Sequence, residues 1–175
     1  MELSQGEKLI LLALAAAKDG QEEINLDFIR SAILSGNTWA LSWELSGIPS
    51  EDIDPSIARE TVDILSMWAF IEASVKGLDA ADKEALENSV RPFELSFSGF
   101  DGNNDPHFGV ADFLINTMGR FDDFKGRPLN SHSSASLPKY RRMLSAYNHT
   151  LRELNFGSRT LSADQIAQII RGGLG

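Results

Sequence analysis

The residues best spaced to hold a metal ion are Asp101, Asn103, Asp105 and Asp112, within and just after the run Asp101-Gly102-Asn103-Asn104-Asp105. They match positions one, three, five and twelve of a calcium loop, where carboxylate and amide oxygens surround a hard cation. Two letters argue against that chemistry. The sixth position requires glycine for a sharp turn, and Pro106 stands there. The twelfth is normally a bidentate glutamate, and Asp112 is one methylene shorter. A structural reading explains the same letters: Asp105 caps a helix whose first residue is Pro106. No metal and no cofactor is therefore expected.

Charge placement offers a second chemistry. Between Lys139 and Arg159 the basic residues are Lys139, Arg141, Arg142, Arg152 and Arg159, against the single acid Glu153. On a helix, Arg141, Arg142, Ser145, His149 and Arg152 lie opposite the apolar stripe. A solvated helical face is the ordinary explanation. The functional one is a site for an anionic ligand or an acidic protein partner on a chain that is otherwise acidic. Asp101, Arg120, Tyr140 and Arg142 are the candidate ligand-binding residues, and a real site would gather them in one cleft. Asp101 can also accept N–H groups from the turn that follows it, or pair with Arg120 or Arg142.

Catalytic motifs are missing. There is no Gly-rich phosphate loop, no H-E-x-x-H pair and no G-x-S-x-G elbow. His107, His132 and His149 sit in unrelated contexts, none at helical spacing with another. Cysteine is absent, which excludes disulfides, thiolate metal sites and cysteine nucleophiles, and fits a reducing cytoplasm. No catalytic residue is assigned. Trp39, Trp43 and Trp68 read as core before they read as a ligand pocket, because each buries a large apolar area.

The elements that would position these side chains are helices. Asp54-Pro55 opens the clearest, with Ile57, Thr61, Ile64, Leu65, Trp68, Ile71 and Val75 on one stripe and Gly77 as its stop. Val62, Met67 and Phe70 lie off that stripe and are apolar too, so this helix should be central and buried. Tyr140, Met143, Leu144, Tyr147, Leu151 and Leu154 mark another behind Pro138. A helix from Asp105-Pro106 should turn Val110, Ala111, Leu114, Ile115 and Met118 inward. Ser4 with Glu7 and Ser162 with Gln165 have capping-box spacing. Two short helices are expected between Asn25 and Ser46, broken near Gly36-Asn37. Phe93, Leu95 and Phe97 alternate like a short extended connector, the stretch Asp122–Ser136 reads as a functional cover or a poorly ordered loop, and Gly172-Gly173-Leu174-Gly175 reads as a tail. The expected fold class is all-α, a compact multi-helix single domain spanning residues 1–175.

With 175 residues the chain is long enough for a core, and its net charge of −9 disfavours DNA unless the cations gather on a broad face. Five basic residues on one helical region do not make such a footprint, so direct nucleic-acid binding is not expected. The run from Leu9 to Ala17 is too short to span a membrane, and Glu2 and Glu7 outweigh Lys8 where a secretory leader would be positive. Ile10, Leu11 and Leu14 fall off the Leu9/Leu12/Ala13/Ala16 stripe, so a homodimer is expected to cover them.

Several strings resemble the YfbU-like family: TVDILSMW at 61–68, FSGFDG at 97–102, FLINTMGRF at 113–121, KYRRML at 139–144 and LSADQIAQII at 161–170. The resemblance covers most of the chain. It implies a helical bacterial or archaeal protein without established catalytic residues. Some members are joined to a helix-turn-helix segment, which implies a ligand-sensing or interaction module; this chain shows no basic N-terminal extension of that kind. The leading expectation is a non-enzymatic sensing or interaction domain working as a homo-oligomer. The alternative is a helical hydrolase acting on an anionic small molecule.

Overall fold

The computed structural model describes residues 4–19, 28, 30–31, 34–37, 53–132, 135–154 and 160–174. The chain divides into two units, Met1–Asp52 and Ile53–Gly175, each described by itself.

In the first unit, helix α1 runs Gln5–Asp19. The capping-box letters act as expected: the Ser4 N–H and hydroxyl donate to Glu7 Oε2 at 2.9 and 2.7 Å, and the Glu7 N–H donates to Ser4 Oγ at 3.3 Å. Ile10 and Leu14, one turn apart, are 60% and 64% exposed. Gly36 adopts φ +73, and the second of the two short helices expected between Asn25 and Ser46 lies outside the described residues. Trp39 and Trp43 lie outside the described residues.

In the second unit, α2 runs Pro55–Gly77, α3 Ala80–Ser89, α4 His107–Asp112, α5 Leu137–Glu153 and α6 Ala163–Leu174. The start of α2 is set locally. Asp54 accepts the Ser56 N–H at 2.7 Å, and Pro55 fills a position whose N–H would have no partner. Thr61, Ile64, Leu65, Trp68 and Ile71 on the stripe and Met67 beside it are all buried. Burial is two-sided because α4, α5, α6 and the turn at 92–95 all pack on this helix. At α6 the second capping box forms, with Ser162 N–H to Gln165 Oε1 at 3.0 Å and Gln165 N–H to Ser162 Oγ at 3.3 Å. No helix among the described residues is long and apolar enough to cross a membrane.

Several local expectations give way. Pro92–Leu95 winds into one 3-10 turn, and extended backbone starts at Ser96, with φ −132 and ψ 149. Proline presets a helical φ there, so Phe93 points outward while Phe97 is buried. After α4 the chain widens into a π-turn at Phe113–Thr117. That extra residue per turn rotates the face: Leu114 and Ile115 stay buried, but Met118, expected inward, is 51% exposed. Leu151, at the end of its stripe, is exposed as well.

Gly172 and Gly173 belong to the last turn of α6 rather than to a tail, and Gly175 lies outside the described residues. A Cβ on Gly173 would strike the Met143 and Lys139 side chains, so glycine here lets α6 lie close along α5. The stretch from Asp122 is packed structure through Ser131: Phe124 and Leu129 are buried, and Asn130 bridges to Phe100 in parallel. Helix α3 has no clear apolar stripe, burying only Leu86 among its residues. It starts because Asp79 accepts the Asp82 N–H at 2.8 Å.

Candidate functional site

The glycine of the FSGFDG string anchors the centre. Gly99, at φ +87, presents its carbonyl to two hydroxyl donors, Ser136 at 2.9 Å and Tyr140 at 3.0 Å. The Tyr140 oxygen also accepts the Ser98 N–H at 3.3 Å and lies 2.9 Å from Ser98 Oγ. Its ring meets Trp68 and Phe100 edge-on, with centroids 5.7 and 5.8 Å apart. Burial pushes the Tyr140 phenol above its ordinary pKa, against the opposing pull of the Ser98 and Ser136 bonds. A phenol kept protonated and aimed at a carbonyl joins two segments.

Asp101 follows directly and is buried. Its carboxylate accepts the Asn103 N–H at 2.9 Å and the Asn104 side-chain N–H at 2.7 Å, and its carbonyl accepts the Asp105 N–H at 2.8 Å. The Asp105 carboxylate turns back to the Asp101 N–H at 3.3 Å instead of capping the following helix, which begins at His107. Gly102 N–H closes the turn on Asn130 Oδ1 at 3.1 Å. Among the described residues no group of three His, Asp or Glu side chains could hold a metal ion.

The remaining two candidates stand elsewhere. Arg142 donates from Nε and Nη2 to the Gly173 carbonyl, at 3.2 and 2.6 Å, closing the C-terminal end of α6. The Arg120 side chain is exposed. Tyr140 thus bonds Gly99 and packs on Phe100, Asp101 follows them in the chain, and among the described residues no hydrogen bond or ion pair joins Arg120 or Arg142 to either candidate.

Sequence reasoning missed a convergence of α2, α4 and α5. Glu60 receives Arg141 through two parallel bonds, Nε to Oε1 at 2.8 Å and Nη2 to Oε2 at 2.9 Å. His107 Nε2 lies 2.8 Å from Glu60 Oε2, and its buried Nδ1 has no partner among the described residues. With Glu60 ionised, Nε2 is the nitrogen that carries the proton. Arg141's bonds, with a smaller share from His107 and against some burial, hold the Glu60 carboxyl at about 2. A carboxylate with both oxygens occupied has little capacity left as a general base. No local signal could have found it, since Glu60 and His107 are 47 positions apart. A similar clamp joins Glu72 to Arg127 at 2.7 and 3.0 Å, with Arg127 also over the Phe124 ring.

The low Glu60 pKa has a pH consequence. Its folded value lies below the ordinary 4.5, so its stabilisation is present above about pH 4.5 and is lost as pH falls towards 2. Glu60 is partly open to solvent, so screening reduces the effect to about 1–2 kcal/mol at neutral pH. Urea midpoints of the unmodified chain and Glu60→Gln should differ at neutral pH and converge in acid. A gap independent of pH would place the stabilisation elsewhere.

The YfbU domain matches residues 1–172 of the 175. The chain belongs to the YfbU family. No curated protein matches it. The YfbU family is of unknown function, so membership assigns no catalytic residues, and the strings that resemble it divide by role. FSGFDG and KYRRML supply the Gly99–Tyr140 junction, and TVDILSMW supplies the centre of α2.

Proposed function

We propose that this YfbU-family chain is a non-enzymatic ligand-sensing or protein-interaction domain, one functional unit over residues 1–175, acting as a homo-oligomer in the cytoplasm. The observation that carries the proposal is how the chemically capable groups are engaged. Asp101 orders a turn, Tyr140 and Arg142 hold backbone carbonyls, and Glu60, His107 and Arg141 bind one another. Those engagements weigh against the hydrolase alternative, which needs a base and a nucleophile free to meet substrate. Support for self-association comes from α1, where Ile10 and Leu14 expose apolar surface one turn apart. The lack of cysteine fits a reducing compartment.

Light scattering at micromolar concentration tests the assembly. A mass above the 19.2 kDa of one chain is expected, falling to the single-chain value in Ile10→Glu/Leu14→Glu. A clean monomer for the unmodified chain overturns the homo-oligomer.

A further inference from the structure

The outward face of α5 has features that the fold does not use. Arg142, Ser145 and His149 stand at i, i+3 and i+7 and so share one side of the helix. Opposite them α6 presents Gln168 and Gly172, and with Ala146 these line an open groove of about 470 Å3. The lining holds a guanidinium, an imidazole, a hydroxyl and a carboxamide, and no carboxylate. Every one of those polar groups can donate a hydrogen bond.

Arg142 is the fixed member. Its two bonds to the Gly173 carbonyl orient the guanidinium and leave its other N–H groups without a partner among the described residues. Ser145 and Gln168 have exposed side chains without a hydrogen-bond partner among the described residues. One acid reaches the groove's edge: Glu153 Oε2 lies 3.6 Å from His149 Nδ1. Two neighbouring cations are engaged elsewhere, Arg141 on Glu60 and Arg152 on the Asn148 carbonyl at 3.2 Å. On a chain of net charge −9 the general field repels anions, so a cluster of donors with a single carboxylate, Glu153, at its edge marks the place where one could be held. A second groove, of about 540 Å3 and lined by Asp79, Asp82 and Glu153, has the opposite chemistry and would reject the same ligand.

We propose that the α5–α6 groove binds a small phosphate-class oxyanion, anchored by Arg142 and oriented by Ser145, His149 and Gln168. This deepens the ligand-sensing half of the function proposed above and rests on it.

Calorimetric titration of the full chain with inorganic phosphate tests the site, against sodium chloride at matched ionic strength. Saturable binding is expected for phosphate and not for chloride. Ser145→Asp and Gln168→Glu each put a carboxylate into the lining at an exposed position, and each should weaken binding about tenfold or more while the melting temperature holds. Arg142→Gln should abolish binding, but it also removes the Gly173 contact, so the two exposed variants are the decisive ones. A response shared with chloride, or phosphate affinity that survives both variants, overturns the proposal. Light scattering on the same samples keeps the two ideas apart. A dimer that ignores phosphate overturns the groove alone, and a monomer that binds phosphate supports the groove while overturning the homo-oligomer.

Discussion

Trp68→Ala should lower stability by about 3–5 kcal/mol, the range for emptying a large aromatic site. Trp68 is 1% exposed, on the face of α2 that meets Tyr140 and Phe97 at centroid distances of 5.7 and 6.3 Å. Removing the indole leaves a cavity that several rigid elements border, so collapse is limited and the cost falls high in the range. Trp68→Phe should cost clearly less, because the buried indole N–H has no hydrogen-bond partner among the described residues to lose. Urea titration at neutral pH measures both. A near-zero loss for Trp68→Ala would mean that α2 is peripheral.

Gly99→Ala should be comparably damaging despite adding one carbon, with a loss of about 3–5 kcal/mol. Two costs combine. At φ +87 an L side chain is strained by roughly 1–3 kcal/mol. A Cβ there would also collide with the carbonyl of Leu129 and the nitrogen of Asn130, which are backbone and cannot rotate away. Relief means separating residues 99–101 from 129–131. That breaks the Phe100 N–H to Leu129 bond at 2.9 Å and the Ser131 N–H to Phe100 bond at 2.7 Å, each about 1 kcal/mol. The Tyr140 and Ser136 hydroxyls would lose their acceptor in the same movement. Gly109→Ala is the control, because a Cβ there meets nothing and its φ is ordinary. Equal losses in the two variants would show that the Gly99 turn is not the source.

The candidate residues show how far spacing alone reaches. Asp101 and Tyr140 were visible as chemically capable groups, and both are buried at the heart of the second unit. Their letters did not say that one would organise a turn and the other would bond the Gly99 carbonyl, 41 positions away. The basic pattern after Lys139 was equally plain, yet it divides by docking: Arg141 reaches Glu60 on α2, whereas Arg142 reaches Gly173 on α6. Adjacent residues on a helix point about 100° apart, so two neighbouring arginines serve two different partners.

The sequence by itself determined where α1, α2 and α6 start and that α2 is central. Caps such as Ser4–Glu7, Asp54–Ser56 and Ser162–Gln165 act over two or three residues, and the α2 stripe repeats every turn, so both are written locally. Local patterns fell short where the turn itself changed, as at the π-turn that carries Met118 outward. Only the tertiary structure decided the pairings. Glu60 with His107 and Arg141, Glu72 with Arg127, and Gly173 against Met143 join residues that the chain separates by dozens of positions. Their meeting depends on the angles and offsets at which whole helices dock, which follow from how many side chains pack together and not from any one residue's neighbours in sequence.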